Sequence, residues 1–315
     1  MFNLDDIHIA RRRIEGRVKR TPLVSSQALS ERLGASVYLK LELFQKTGSF
    51  KVRGAFNKIL SIPEDQRGCG LVAVSGGNHA QAVAYAASEL GLPSVIVMPE
   101  KTPRNYVDAT RGYGAEVVLA PSVQEAFQKI ASYEQDGWTS VHPFDDPLVM
   151  AGQGTVGLEI VEDLPEVTDV VASIGGGGFI GGVATAVRSL KPAARVWGVE
   201  TEGADAMAKA LAAGHPVHLD AITSIARTLG APSVSERTLL LARKYVQSVT
   251  VVPDSEAISA LRLLLERAKV LTEPAASCTW AAAERLRPQF STSSQVVLVL
   301  CGGNMAVDDL CRYQS

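Results

Sequence analysis

The sequence predicts an α/β protein in which parallel sheets are covered by helices. Two observations support this class: short apolar runs rich in β-branched residues alternate with longer amphipathic stretches, and glycine or proline stands near the ends of most segments. Apolar runs without polar alternation are typical of strands buried on both faces. With 315 residues, 46% of them hydrophobic, the chain is long enough for a large core and for two domains.

Seven apolar runs are predicted as buried parallel strands, namely residues 37–41, 70–74, 93–98, 117–119, 170–172, 196–199 and 295–300. Five amphipathic stretches between them are predicted as helices, namely residues 80–90, 104–112, 123–135, 181–190 and 255–267. No repeat, low-complexity tract or Gly/Ser-rich linker interrupts the pattern, so it does not locate a domain boundary.

Charge and cysteine content exclude several classes of function. The chain has 31 Lys and Arg against 33 Asp and Glu, a net charge of −2, which favours neither nucleic acid nor an anionic membrane as a partner. Its four cysteines include no Cys-x-x-Cys pair, which argues against a disulfide framework and against a zinc site. The N-terminus lacks the apolar core of a signal peptide and no segment is long enough to span a bilayer, so we expect a cytoplasmic protein with a small-molecule substrate.

Lys51 is the strongest candidate for a catalytic residue. It lies in the run Thr47-Gly48-Ser49-Phe50-Lys51-Val52-Arg53-Gly54, between small residues and an aromatic ring. Partial burial in such a setting disfavours the ammonium form, so the amine titrates lower and can attack an aldehyde carbon. Because most lysines are solvated surface charges, this interpretation depends on supporting motifs elsewhere in the chain.

A glycine-rich loop follows the predicted strand at residues 170–172 and opens a predicted helix. It contains four adjacent glycines, Gly175, Gly176, Gly177 and Gly178. Backbone amides at such a helix start can hold a phosphate. The loop together with Gly181 also fits a dinucleotide fingerprint, with Glu200 at the spacing of a ribose-binding acid. A phosphate cradle, a dinucleotide site and a simple packing turn are all open at this point.

Two further glycine turns follow predicted strands. The loop Ser75-Gly76-Gly77-Asn78-His79 precedes a helix, so its amides form a second anion cradle, which suits a substrate carboxylate. The loop Cys301-Gly302-Gly303-Asn304 follows the last predicted strand. Because the carboxyl ends of parallel strands converge on one crevice, we expect the three loops and the lysine to form one site.

Together these motifs resemble the fold type II pyridoxal 5′-phosphate (PLP) enzymes, the tryptophan synthase β-like group, and among them the threonine and serine dehydratases and the serine racemases. The resemblance covers nearly the whole chain and disfavours the dinucleotide interpretation. Besides the three glycine turns, it is carried by Arg20-Thr21-Pro22-Leu23, Lys40-Leu41-Glu42, residues 45–55, His142-Pro143-Phe144, Ala151-Gly152-Gln153-Gly154-Thr155 and Glu273-Pro274.

The resemblance implies a role for each matched residue. Lys51 is expected to bind PLP as a Schiff base and to act as the general base on the substrate. The other implied cofactor contacts are Gly175 to Gly178 with the phosphate, Asn78 with the 3-hydroxyl, Phe50 beside the ring and Cys301 facing the pyridine nitrogen. A neutral thiol is a poor proton donor to pyridine, which favours elimination over transamination. The loop from Ser75 to His79 is expected to bind the substrate carboxylate.

The resemblance also implies two open twisted α/β domains with the cofactor in the cleft. Residues 1–54 and 147–315 form the large PLP-binding domain, and residues 55–146 form the small inserted domain. The implied reaction is an ammonia-lyase reaction: water is eliminated from an L-β-hydroxy amino acid of the threonine or serine type to give a 2-oxo acid and ammonia. A homo-oligomer, a dimer, is expected.

Two departures from the family pattern concern the carboxylate loop and the cation site. A second serine of the carboxylate loop acts on the opposite face of the substrate in the racemases; here it is Gly76, so racemisation is expected to be weak. The cation site of the family uses a glutamate, a backbone carbonyl and an aspartate; Glu200 and Ala204 match, but Ala206 replaces the aspartate. Divalent cations need several oxygen ligands, so no strong divalent site is expected, and activation by a monovalent ion stays undecided.

The segment from Ser224 to Thr228 stands where relatives often have Ala-Asp-Gly near the substrate side chain. Arg227 is either a solvated surface charge or, if it faces the pocket, a partner for a second carboxylate such as that of 3-hydroxyaspartate. Phenylserine is another candidate substrate. Tyr106 replaces a lysine common in relatives, with no role assigned. The length leaves no room for the regulatory domain of biosynthetic threonine dehydratases, so feedback control by isoleucine is not expected.

Three other functions stay open from the sequence: a serine or other amino-acid racemase, a β-replacement synthase of the cysteine synthase kind, and a non-enzymatic dinucleotide-binding module. Gly76 argues against the first. The second would consume O-acetylserine and sulfide. The third predicts a colourless protein that binds NAD.

Overall fold

The computed structural model describes residues 2–313, which contain ten strands arranged in two sheets. The strands are β1 Leu23–Ser25, β2 Ser36–Lys40, β3 Leu71–Val74, β4 Ser94–Pro99, β5 Glu116–Ala120, β6 Thr139–Ser140, β7 Asp169–Ser173, β8 Arg195–Thr201, β9 Ser248–Val252 and β10 Gln295–Val299.

Over the same residues, thirteen α-helices flank the sheets. They are α1 Leu4–Arg13, α2 Gln27–Leu33, α3 Lys51–Leu60, α4 Asn78–Glu89, α5 Arg104–Gly112, α6 Val123–Gln135, α7 Pro147–Asp163, α8 Gly178–Leu190, α9 Ala206–Ala213, α10 Glu236–Tyr245, α11 Asp254–Leu263, α12 Pro274–Arg285 and α13 Val307–Arg312. No helix of this described part of the chain is long and apolar enough to cross a membrane.

The larger sheet has six strands in the order β1-β2-β10-β7-β8-β9. All its pairs are parallel except β1 with β2. Alternate residues of β10 belong to different core clusters: Val296 and Leu298 pack on one face, and Val297 and Val299 pack on the other. Because both faces are covered, the strand reads as one continuous apolar run.

The smaller sheet has four parallel strands in the order β5-β4-β3-β6. Its two faces are likewise packed: Ile96 and Met98 of β4 belong to one cluster, Val95 and Val97 to another. The prediction of a buried strand at residues 117–119 was right about the strand but wrong about burial, since β5 lies at the sheet edge with Leu119 43% exposed.

All seven predicted strands are present within one or two residues, and the predicted bounds of α5 and α6 agree with the structure. Three strands were missed: β1, β6 and β9. The predicted helix at residues 255–267 is α-helical only to Leu263, after which residues 264–268 form a π-helical turn that ends at Lys269 with φ of 60°.

Candidate active site

Lys51 is the first residue of α3 and its amine lies where the glycine turns meet. The preceding turn is tight: Thr47 and Gly48 both have left-handed φ, 61° and 68°. The turn is bound to the loop after β10, since the Phe50 amide donates to the Cys301 carbonyl at 3.1 Å. The Lys51 Nζ donates to the Pro143 carbonyl oxygen at 2.8 Å.

The amine of Lys51 is chemically unusual. Burial lowers its pKa to about 8, and the nearby acidic groups Cys301 and Glu273 oppose this shift only in part. At neutral pH, roughly a few hundred times more of this amine is uncharged than for an ordinary lysine. The uncharged amine is the form that can attack an aldehyde carbon.

A buried ionic network fixes the helix that begins at Lys51. Arg53, which is 0% exposed, donates to both oxygens of Glu42 at 2.8 Å and to Glu159 at 2.7 and 3.0 Å. Lys40 donates to the same Glu159 at 2.6 Å. The network joins β2, α3 and α7, and none of these links was inferred from the sequence.

The tetraglycine loop, Gly175 to Gly178, leads from β7 into α8 at a point where no side chain fits. A Cβ atom on Gly176 would lie 2.2 Å from two ring carbons of Phe144, and one on Gly178 would lie 2.5 Å from the Phe144 carbonyl oxygen. Gly177, the N-cap of α8, has a φ of 89°. The bare backbone amides of the loop are thus held open at a helix N-terminus, which is the arrangement that binds phosphate.

Phe144 is positioned by a small turn built on His142. The His142 Nδ1 accepts hydrogen bonds from the amides of Phe144 and Asp145, at 3.2 and 2.8 Å. The same turn presents the Pro143 carbonyl to Lys51. His142 must have an unprotonated Nδ1 to do this, and burial does lower the pKa of His142.

Phe50 and Cys301 lie in the same cleft as Lys51. Phe50 stacks on Phe179 with ring centroids 3.9 Å apart. The Cys301 Sγ lies 3.3 Å from the Ser173 Oγ, and burial followed by the nearby Glu273 raises the pKa of Cys301 to about 12. The thiol is therefore neutral at physiological pH.

Glu273 is the main site residue whose role the sequence did not reveal. Its Oε1 accepts hydrogen bonds from Asn78 Nδ2 at 2.8 Å and Thr228 Oγ1 at 2.9 Å, while Asn304 Nδ2 donates to Asn78 Oδ1 at 2.8 Å. Its buried Oε2 has no partner among the described residues. Burial raises the pKa of Glu273 to about 7, against the hydrogen bonds that lower it.

The loop from Ser75 to His79 borders a cavity of about 290 Å³, and Lys51 also lines this cavity. The His79 side chain is buried, with Nε2 2.8 Å from the Val141 carbonyl, and burial together with the charge of Lys51 lowers its pKa to about 3. The imidazole is uncharged, so anion binding by this loop depends on backbone amides and Ser75.

Thr102 occupies the space beside Gly76. A Cβ atom at Gly76 would lie 2.6 Å from the Thr102 Oγ1. A residue with a side chain at this position would require Thr102 to move.

Glu200 has a structural role that the sequence did not suggest. Its two carboxylate oxygens accept hydrogen bonds from the amides of Met207 and Ala208, both at 2.8 Å, at the start of α9. Burial raises its pKa to about 8, although these bonds oppose the shift. The Ala204 amide donates to the Thr201 carbonyl in the adjoining turn. Within residues 2–313, no group of three or more His, Cys, Asp or Glu side chains is arranged to hold a metal ion.

The residues around the cleft fit a PLP molecule. The tetraglycine amides suit its phosphate, the neutral Cys301 thiol suits an unprotonated ring nitrogen, and the buried Glu273 Oε2 lacks a partner among the described residues. A reactive amine borders the same cleft. Together, an open α/β sheet, a glycine phosphate cradle and a desolvated lysine define the class of enzymes that use a pyridoxal cofactor.

Comparison with known proteins agrees with this class. A family model described as pyridoxal-phosphate dependent enzyme matches residues 14–302. The chain belongs to this family, and PLP is its cofactor. The chain is 42% identical over 314 residues to an L-threonine ammonia-lyase of Thermotoga maritima, covering 99% of this chain and 78% of the relative. It is 36% identical over 310 residues to an L-threo-3-hydroxyaspartate ammonia-lyase of Saccharomyces cerevisiae, covering 98% and 94% of the two chains.

Solved structures with similar folds include fold type II enzymes. The maize serine racemase superposes with a TM-score of 0.93 at 34% identity, covering 98% of this chain and 96% of that one. A threonine deaminase from T.th. superposes with a TM-score of 0.90 at 40% identity, covering 97% and 99%. The predicted fold class is confirmed by these similarities.

Proposed function

We propose that the chain is a PLP-dependent ammonia-lyase that removes water from an L-β-hydroxy amino acid of the threonine or serine type, giving a 2-oxo acid and ammonia. The relatives that are dehydratases or ammonia-lyases support this reaction class. The observation that carries the proposal is the Lys51 amine, with a pKa of about 8, facing a cavity bordered by an anion-binding loop.

Lys51 is proposed to have two tasks. Its uncharged amine attaches the cofactor, and once substrate has taken its place the freed amine accepts the proton from the substrate α-carbon. When bound, PLP supplies the electron sink that makes this proton acidic enough to remove. The Pro143 carbonyl, 2.8 Å from Nζ, fixes the direction of the amine before reaction.

The other site residues are proposed to bind and orient. The Gly175 to Gly178 amides hold the cofactor phosphate, Asn78 holds its 3-hydroxyl and Phe50 packs beside its ring. Cys301, neutral because burial raises its pKa to about 12, leaves the ring nitrogen unprotonated and so favours elimination. The loop from Ser75 to His79 binds the substrate carboxylate through its amides at the start of α4.

A racemase is the less favoured function. Gly76 offers no side-chain proton donor on the opposite face of the substrate, and Thr102 fills the adjacent space. We further propose the division into a large domain, residues 1–54 and 147–315, and a small domain, residues 55–146. A homodimer in the cytoplasm is proposed as well.

The experiment compares wild type with Lys51→Ala and Lys51→Arg after reconstitution with PLP. Wild type is expected to absorb visible light, to lose that absorbance on borohydride treatment, and to release 2-oxo acid from L-threonine or L-serine. The rate of 2-oxo acid release should fall at least about a thousandfold in both variants. Alanine has no amine, and arginine keeps the positive charge but cannot act as nucleophile or base. Unchanged 2-oxo acid release by either variant would refute the role of Lys51.

A further inference from the structure

We propose that Arg227 makes this enzyme selective for β-hydroxy amino acids that carry a second carboxylate, with L-threo-3-hydroxyaspartate as the representative substrate. The inference rests on the ammonia-lyase activity proposed above and adds the substrate class. The sequence alone leaves open whether Arg227 faces the pocket or only solvent.

Arg227 is an exposed residue at the edge of the proposed active site. Arg227 borders the same 290 Å³ cavity as Lys51 and the loop from Ser75 to His79. It makes no hydrogen bond or ion pair with its side chain among the described residues, unlike Arg237, which pairs with Asp145 at 2.8 Å. An unpaired cation is therefore available at the rim of the proposed active site.

The chemistry of the cavity wall favours an anionic ligand. None of the described residues that line the cavity is an aspartate or a glutamate. Much of the remaining wall is apolar, including Pro99, Pro103 and Phe127. A cation in such surroundings raises the local concentration of anionic ligands. It makes no hydrogen bond or ion pair with the methyl group of threonine.

The backbone that presents Arg227 is fixed on both sides. Before it, the Ile225 amide donates to Asp254 Oδ2 at 2.9 Å and the Ser224 Oγ donates to Asp254 Oδ1 at 2.6 Å. After it, the Thr228 Oγ1 donates to Glu273 Oε1 at 2.9 Å. A side chain presented from an anchored segment loses less entropy on binding than one on a mobile loop.

The two elements proposed to bind anions, the loop from Ser75 to His79 and Arg227, lie close together. A Cβ atom on Gly77 would lie 3.3 Å from the Thr228 Cγ2, so the segment bearing Arg227 adjoins the loop proposed to bind the α-carboxylate. A four-carbon dicarboxylate has its two charges at the two ends of a short chain. One cavity therefore offers it both backbone amides and a guanidinium, which pairs with carboxylates through a planar fork.

The reaction is the same elimination with a different side chain. The uncharged Lys51 amine accepts the α-proton, and the Cβ–O bond breaks with its electron pair leaving on oxygen. The hydroxyl takes up one proton, which balances the one removed from the α-carbon, and leaves as water. Addition of water then releases ammonia and leaves a 2-oxodicarboxylic acid, so no oxidant or reductant is needed.

The test measures kcat and KM for L-threo-3-hydroxyaspartate and for L-threonine with the PLP-loaded enzyme. Variants are Arg227→Gln, Arg227→Lys and, as a control with the same loss of charge, Arg111→Gln on the exposed side of α5. Arg227→Gln is expected to lower the ratio of kcat/KM for the dicarboxylate to that for threonine by about tenfold, mainly through KM. Arg227→Lys should fall between, Arg111→Gln should match wild type, and added salt should lower the wild-type ratio.

A binding measurement separates this inference from the proposed function. L-aspartate has the second carboxylate but no β-hydroxyl to lose, and L-2-aminobutyrate has a side chain of similar length without charge. Wild type should be stabilised against heat by L-aspartate more than by L-2-aminobutyrate, and Arg227→Gln should lose that preference even if no substrate is turned over. The inference is overturned if the enzyme deaminates threonine but prefers neither L-threo-3-hydroxyaspartate as substrate nor L-aspartate as ligand. It is also overturned if Arg227→Gln affects both substrates equally. Either result leaves the ammonia-lyase in place. Preferential binding of phenylserine would overturn it in favour of an aryl substrate.

Discussion

Gly176→Ala tests whether Phe144 and the tetraglycine loop really form the cofactor cradle. The added methyl group would lie 2.2 Å from two ring carbons of Phe144 and 2.5 Å from a third. Ordinary carbon contacts lie at about 3.5–4.0 Å, so the ring must retreat by more than an ångström. It cannot do so freely, because the Phe144 amide is bound to His142 Nδ1.

The expected cost follows from overpacking. Forcing a methyl group into a filled site costs about 1–3 kcal/mol. If the strain falls on the loop that binds phosphate, the dissociation constant for PLP rises roughly 5- to 150-fold. The strain also reaches Lys51, because Pro143, its hydrogen-bond partner, belongs to the displaced turn.

The assay is a titration of apoprotein with PLP, followed by visible absorbance, together with urea unfolding of the apoprotein. Gly112→Ala is the matched control, because a Cβ atom at Gly112 would meet no atom within 4 Å. That variant should bind PLP like wild type. The reasoning is refuted if Gly176→Ala has the same PLP affinity and the same unfolding free energy as Gly112→Ala.

Three further predictions concern pH, the buried network and stereochemistry. His79 has a pKa of about 3 in the folded protein, below the roughly 6.5 of an unfolded histidine, so the unfolded state takes up the proton first as pH falls. The contribution of the uncharged His79 to stability is thus present above pH 6.5 and is lost as the pH falls below it. Between pH 7.5 and pH 5, the unfolding free energy of wild type, measured with urea, should fall by about 2 kcal/mol more than that of His79→Gln. Arg53→Met strands Glu42 and Glu159 in the interior and should lower the unfolding free energy by about 3–5 kcal/mol, measured in the same way; a loss below 1 kcal/mol would contradict the network's importance. With L-serine as substrate, chiral chromatography should find D-serine forming at least about tenfold more slowly than pyruvate, because Gly76 provides no proton donor; similar initial rates would contradict this.

The sequence revealed strands best where both faces are buried, as in β10, since these read as unbroken apolar runs. It missed β9, which lies at the edge of the larger sheet and is mostly half-exposed, and the two short strands β1 and β6. Helix α7 was missed for a different reason. Residues 149–161 of this helix are all buried, so no polar face marks its period in the sequence.

The candidate site was predictable where chemistry is local and unpredictable where it is not. Lys51 and the glycine turns stand out because each carries its signal within a few residues. The hydrogen bond between Asn78 and Glu273 joins residues 195 positions apart, and nothing in either segment indicates the other. The same holds for Arg53, whose carboxylate partners come from the segment after β2 and from α7.

The pairing of β10 with β2 and the bond from Phe50 to Cys301 have a consequence for biosynthesis. All four strands of the smaller sheet come from one contiguous stretch, so that sheet can form while the chain is still growing on the ribosome. Lys51, by contrast, is translated early, whereas Cys301, whose carbonyl binds the Phe50 amide, is translated only after β10. A chain that has not yet been translated through β10 and Cys301 therefore lacks a competent site for pyridoxal phosphate.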